Sequence, residues 1–154
     1  MKKILLLLAI VLPMVFTCCS KDEEDNKPIS VLVNITDDHG SIANPSLVRL
    51  YKYEDAKNFD KDAIAKMGDQ QILVDKAGNE IQPAYTSDNF SGINIFEDVK
   101  AGAYCIIVLY KPSGYSFPMF YYYGYKDIEV NQSTNAKLYK IDFSGKERGQ
   151  FIKF

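Results

Sequence analysis

From Ile29 to Thr36 the chain alternates, with Ile29, Val31, Val33 and Ile35 on one parity and Ser30, Leu32, Asn34 and Thr36 on the other. A period of two predicts a strand with one buried face. The run closes in Asp37, Asp38, His39 and Gly40, where the aspartates can accept from nearby backbone N–H groups and Gly40 can take positive φ. A second strand follows at Ser46 to Tyr53, with Val48 and Leu50 on one face and Arg49 and Tyr51 on the other. Residues 54–69 lose the rhythm; Asp60 can cap a short helix through Ala63, Ile64 and Met67 that stops at Gly68. Further strands are predicted at Gln71–Val74 and Glu80–Tyr85, joined by a turn at Asp75–Asn79, then at Ile93–Glu97, Tyr104–Tyr110, Phe117–Tyr123, Asp127–Val130 and Lys137–Phe143. Short strands at this spacing, punctuated by Gly, Pro, Asn and Asp, predict an all-β chain: an antiparallel sandwich of about seven strands with a short helical insertion near 58–68. The tail through Phe151, Ile152 and Phe154 either adds an edge strand or frays.

The first residues follow a different pattern. Lys2 and Lys3 precede an apolar run from Ile4 to Phe16, interrupted only by Pro13. As a helix rising ~1.5 Å per residue this run covers roughly 20 Å, short of the ~30 Å hydrocarbon core, so it reads as a signal peptide rather than a span. Its end, Val15-Phe16-Thr17-Cys18-Cys19, resembles the lipobox of bacterial lipoproteins. That resemblance implies cleavage before a cysteine and diacylglycerol on its sulfur, at Cys19 or alternatively Cys18, with no cofactor. The next stretch, Ser20 to Pro28, has no apolar residue and cannot bury surface to offset ordering entropy, so it reads as an acidic tether. Cys-Ser-Lys followed by Asp22, Glu23, Glu24 and Asp25 resembles the export signal of Bacteroidota surface lipoproteins, which implies the outer membrane and its exterior face; the alternative is the periplasmic face. The expected organisation is a signal at 1–18, a lipidated cysteine and tether at 19–28, and one β-sandwich domain at 29–154.

Two stretches of the domain carry a further resemblance. VNITDDHGSIANPSLVRLY, Val33 to Tyr51, and FEDVKAGAYCIIV, Phe96 to Val108, are similar to carboxypeptidase-regulatory-like, prealbumin-like and Cna-B-like domains. The resemblance implies an Ig-like or prealbumin-like sandwich in which Phe96 and Val99 cover the core edge and Tyr104, Ile106 and Val108 point inward. Asn94 departs from it, standing where those domains place a hydrophobic residue. Lysine–asparagine cross-links occur in some Cna-B-like domains, and Lys27 or Lys52 with Asn131 or Asn135 are the residues that could supply one.

Charge and chemistry narrow the picture mainly by exclusion. Without Lys2 and Lys3 the chain holds sixteen basic against twenty acidic residues, and its only arginines are Arg49 and Arg148. A nucleic-acid partner would need clustered cations to neutralise phosphates. The one histidine, His39, lies in a turn, and no paired-cysteine spacing supports zinc. Asp37, Asp38, Asp60, Asp62, Glu97 and Asp98 would make a calcium site only if their loops converged. Cys105 sits in an apolar run and reads as a buried thiol. No nucleophile–base motif or P-loop is present, so an enzyme is not expected.

The remaining signal is aromatic. Tyr115, Tyr121, Tyr122, Tyr123 and Tyr125 crowd one segment with Tyr110, Phe117 and Phe120. Strand alternation turns half of such rings outward, Tyr122 or else its neighbours Tyr121 and Tyr123, where tyrosine offers area with a polar tip for a protein or glycan; tyrosine is equally a favoured packing residue of strands. The sequence thus points to a non-enzymatic, membrane-anchored surface module that binds protein or serves as a structural accessory. The alternatives are glycan binding through Tyr115 to Tyr125, or an inhibitor or chaperone facing the periplasm.

Overall fold

The computed structural model describes residues 27–44, 46–89 and 92–154. The signal-like run, Cys18, Cys19 and the acidic stretch up to Asn26 lie outside the described residues. The strands are β1 (Ile29–Thr36), β2 (Ser46–Lys52), β3 (Leu73–Val74), β4 (Glu80–Ile81), β5 (Tyr85–Asn89), β6 (Ile93–Val99), β7 (Gly102–Tyr110), β8 (Tyr122–Val130), β9 (Lys137–Asp142) and β10 (Phe151–Lys153). They build a three-stranded sheet in the order β6-β1-β9, a five-stranded sheet β10-β8-β7-β2-β5, and the small hairpin β3-β4. The fold is an all-β sandwich, as the spacing predicts.

The alternation in β1 does what a period of two requires. Ile29, Val31, Val33 and Ile35 face the five-stranded sheet and meet Val48, Leu50, Tyr104, Ile106, Val108 and Val130 in the first core. Phe96 and Val99 close its edge, and Tyr104, Ile106 and Val108 point inward, as the resemblance implies. Asn94 keeps the register of β6 opposite Val33, with its amide buried at the core margin. Most pairings are antiparallel, but β9 runs parallel to β1 and β10 parallel to β8. Both exceptions follow from chain ends crossing between sheets: β9 leaves β8 for the other sheet, and the tail returns to β8.

Several elements differ from expectation. The predicted strands at Phe117–Tyr123 and Asp127–Val130 are one strand, β8, because Gly124 does not break it. A Cβ there would come within 2.9 Å of Phe154 and 3.1 Å of Phe143, so glycine admits those rings. Residues 117–120 instead form a loop, with a 3-10 turn at Pro118–Phe120. The insertion carries helix α1 (Tyr53–Ala56) and a π-turn at Lys66–Gln70. Asp60 accepts from the N–H of Asp62 at 3.0 Å, making a tight turn rather than capping a helix. Tyr85 starts β5 rather than ending the hairpin. The tail is ordered as a true edge strand.

The largest departure is that the five-stranded sheet is covered on its outer face too. Segment 53–84 lies over it, packing Ala56, Phe59, Met67, Leu73 and Ile81 against Tyr51, Cys105, Ile107, Leu109, Tyr121, Tyr123 and Tyr125. Arg49 fastens this layer by donating to the carbonyl of Gln71, which adopts a left-handed conformation at the end of the π-turn. Burial at about 1.5–3 kcal/mol per large apolar side chain makes this second core a major contribution to stability. Cys105 is a free thiol within it, its pKa pushed up to about 12 by burial and by Asp127 beside it.

Gly124 tests this packing. Gly124→Ala should lower stability by about 1–3 kcal/mol through overpacking, read from the urea midpoint. Adding Phe154→Leu should restore part of the loss; a purely additive double variant would contradict the proposed contact.

Candidate functional site

At one end of the sandwich three segments meet: the β1–β2 loop, the β7–β8 loop (residues 111–121) and the tail after β9. The β7–β8 loop turns at Pro112 and Gly114, with the Tyr115 N–H donating to the Pro112 carbonyl at 3.4 Å. It then bends through the 3-10 turn, where the Tyr121 N–H donates to the Pro118 carbonyl at 3.0 Å. The β1–β2 loop is shaped by Asp37, whose Oδ1 accepts from the N–H groups of His39 and Ser41, both at 2.9 Å.

Arg148 joins the three. Its Nη2 donates to Asp38 Oδ2 at 2.8 Å and its Nε donates to the Tyr122 hydroxyl at 2.9 Å. The guanidinium lies between two rings, 4.7 Å from the centroid of Tyr115 and 5.1 Å from that of Tyr122. Tyr122 stacks on Tyr110 and leans on Phe143. Hydrogen bonding from Tyr122 and then from Arg148 holds the Asp38 carboxyl below its ordinary pKa, and hydrogen bonds to Tyr122, Asp38 and Tyr115 raise that of Arg148. Burial raises the hydroxyls of Tyr110 and Tyr122. Gly149, at φ +76°, seats its backbone against the Met119 carbonyl and donates its N–H to Tyr121 at 2.9 Å.

The five tyrosines singled out from sequence divide sharply. Tyr115 is exposed, while Tyr121, Tyr122, Tyr123 and Tyr125 are buried. The expectation that alternation would turn Tyr122, or Tyr121 and Tyr123, toward solvent is corrected: the start of β8 has a core on each face, so over Tyr121 to Tyr125 neither parity is outside. Their hydroxyls are used internally. Tyr121 donates to the Ser116 carbonyl at 2.8 Å, Tyr123 donates to that of Pro118 at 2.9 Å, and the Tyr125 hydroxyl accepts from Lys61 at 2.7 Å. Lys111 lies over the Tyr121 ring at 5.0 Å.

What the pole does present is Tyr115 with Phe117, Met119 and Phe120, the middle two 64% and 62% exposed. Tyr115 packs on Phe120 with centroids 5.2 Å apart. Sequence reasoning placed Phe117 and Phe120 in a strand; Pro112, Gly114 and Pro118 were the signal against one, since proline is excluded from central strands. Asp38 and Arg148 carried no local signal, being distant in sequence and joined only by the fold.

The other candidates are not brought together. Asp37 closes one turn and Asp60 another, in which it accepts from the Asp62 N–H; Glu97 and Asp98 lie exposed on β6, and His39 is exposed 3.8 Å from Asp38. Among the described residues no three His, Cys, Asp or Glu side chains group to hold a metal. Asn131 caps the 3-10 turn at Gln132–Thr134, and Asn135 accepts from the Ser30 N–H at 2.9 Å. Neither asparagine is buried, and both are committed to backbone donors rather than to Lys27 or Lys52. Among the described residues no helix is long and apolar enough to cross a membrane. No protein-family model matches the chain, and no curated protein is significantly similar to it.

The clamp has a pH signature. Because Asp38 is depressed when folded, its pairing stabilises fully above the unfolded carboxylate pKa of about 4 and is lost as pH falls through the lower folded value. Arg148→Met should cost about 2 kcal/mol at pH 7 in urea unfolding, from the charged hydrogen bonds and the ring contacts. That difference should hold from pH 5 to 8 and shrink below about pH 4. A penalty that stays constant down to pH 2 would mean that Arg148 acts through packing alone.

Proposed function

We propose that this chain is a non-enzymatic, lipid-anchored surface lipoprotein that engages a protein partner through the pole formed by Tyr115, Phe117, Met119 and Phe120. The observation that supports it most is the clustering of four exposed large apolar side chains on one loop whose base is clamped. An exposed apolar cluster on a rigid support is the usual form of an interaction hot spot, because little ordering entropy is lost on binding. The lipobox-like end of the signal and the acidic stretch after it support the anchor and the outward face.

A protein partner suits the exposed set better than a glycan. Sugar recognition couples a flat ring to polar groups that match hydroxyls, whereas the presented surface is phenylalanine and methionine. Asp38 and Arg148, the charged pair beneath Tyr115, already satisfy each other. Glycan binding rests on Tyr115 alone among the tyrosines first singled out.

The test is capture on intact cells with a photo-crosslinking residue at position 116, an exposed position of the same loop. Phe117→Ser with Met119→Ser should reduce capture at least tenfold and change stability by no more than about 0.5 kcal/mol each, as for other surface substitutions. Unchanged capture would refute the pole as the site. Retention on a polysaccharide gel that Tyr115→Ala abolishes would establish the glycan alternative. For the anchor, protease added to intact cells should remove the domain, and alanine at Asp22, Glu23, Glu24 and Asp25 should protect it; a protected wild type would place it on the periplasmic face.

A further inference from the structure

Among the described residues the exposed large apolar side chains fall into two groups. One is the aromatic pole; the other is Ile42, Ile93, Ile95 and Leu138. The second group lies on the solvent side of the three-stranded sheet. Register makes it continuous: Leu32 of β1 is paired with Ile95 of β6 on one side and with Leu138 of β9 on the other, giving an aliphatic row across all three strands. Ile93 stands one step along β6, beside Asn34, and Ile42 packs over Gly92 next to it. The polar residues sharing this face are Ser30, Asn34 and Thr36 of β1, Glu97 of β6, and Lys140 and Asp142 of β9. Asn34 is tied to the Gly92 carbonyl, and Asp142 is tied to Thr36 and Ser144. The five-stranded sheet has its outer face covered by segment 53–84, whereas this one has nothing over it among the described residues.

We propose that this aliphatic face rests on the lipid surface that anchors the chain, so that the domain lies on its side with the aromatic pole free. The inference rests on the lipoprotein reading above. Two lengths favour the bilayer as occupant. The chain enters the fold at Lys27, whose carbonyl accepts from Gln132 at 2.7 Å, at the end of the sandwich opposite the aromatic pole. Eight or nine peptide steps separate Lys27 from Cys19 or Cys18, a reach of at most about 32 Å. Leu32 is about 17 Å from Lys27 along β1, within easy reach; Thr36, at the aromatic pole, is about 30 Å away. Bringing the pole down to the bilayer would draw the tether nearly straight, whereas laying the sheet face down would not.

Area argues against a second copy. Three strands of this length present a face of roughly 370 Å², against the ~800 Å² per partner of a stable association. A face already held beside a membrane needs no such area, because the anchor supplies the local concentration and the aliphatic row has only to set orientation.

The test uses the acylated protein in vesicles of phosphatidylethanolamine and phosphatidylglycerol, with an environment-sensitive dye on Ile95→Cys or on Phe117→Cys and the unsubstituted chain as blank. Cys105, buried in the second core, stays unlabelled in the native state. The dye at 95 should shift to the blue and be quenched by bromolipids, while the dye at 117 stays accessible to aqueous iodide. Leu32→Ser with Leu138→Ser should abolish the shift at 95 without releasing the protein from the vesicles. A dye at 95 that remains open to iodide in an acylated chain overturns this inference and leaves the anchor standing. Shielding at 95 that appears in the lipid-free Cys18→Ser, Cys19→Ser chain and grows with protein concentration overturns it in favour of a second copy. The mass of the mature N-terminus separates the two readings, since a chain without diacylglycerol would remove the anchor and this inference together.

Discussion

The central strands of the five-stranded sheet are buried on both faces, and most other features of the molecule follow from that. An antiparallel sheet ordinarily keeps one face in water and reads as alternating apolar and polar residues. Here β7 is buried from Tyr104 through Leu109, and so are Tyr121 and the start of β8 from Tyr122 through Tyr125. Such a strand needs a cover on each side. The three-stranded sheet supplies one and segment 53–84 the other, so the chain between β2 and β5 is a layer of the structure rather than a surface loop. Tyrosine suits the boundary because its ring fills the core while its hydroxyl reaches the rim. Tyr121, Tyr123 and Tyr125 use those hydroxyls on Ser116, Pro118 and Lys61, stitching the loop and the covering layer to the sheet.

That arrangement also decides what is left outside. With one sheet sealed on both faces, apolar surface can remain only at the ends and on the outer side of the other sheet. It does so at the aromatic pole and along the Ile95–Leu32–Leu138 row, two patches with different chemistry. The pole is aromatic and thioether, on a loop; the row is aliphatic, on a sheet. Loops with exposed aromatic side chains are usually mobile, and ordering them costs binding energy. This loop is tied at its base by Arg148, by Gly149 and by the tyrosine hydroxyls, so much of that ordering is already present in the fold.

The sequence made the framework legible because strand alternation is a local property. β1, β2, β6, β7 and β9 begin and end within a residue or two of where the pattern puts them, and the inward set of β7 is as the family resemblance implies. The pattern failed where burial was not local. Nothing in Tyr121 to Tyr125 announces a second core; that depends on Phe59, Met67 and Leu73 folding back from a segment whose own periodicity is poor. The same holds for the Asp38–Arg148 pair, in which the residues are 110 positions apart and meet only because the tail returns along β8. The parallel pairings of β9 and β10 were invisible for the same reason, since pairing direction is set by where the chain crosses between sheets.

The end at which the chain enters bears on both functional readings. β1 begins beside the 3-10 turn at Gln132–Thr134 and ends beside the Asp38–Arg148 clamp, so one strand length separates the tether from the aromatic loop. A tether of comparable length, on the proposed reading, does not turn the pole toward its own membrane. On the proposed reading, the partner of Phe117 and Met119 therefore lies away from the anchoring bilayer, and the flank along β1 is the surface that faces it. The burial that hides four of the five tyrosines thus leaves one end and one side of the sandwich apolar, and, on the proposed reading, the entry point at Lys27 gives each a different neighbour.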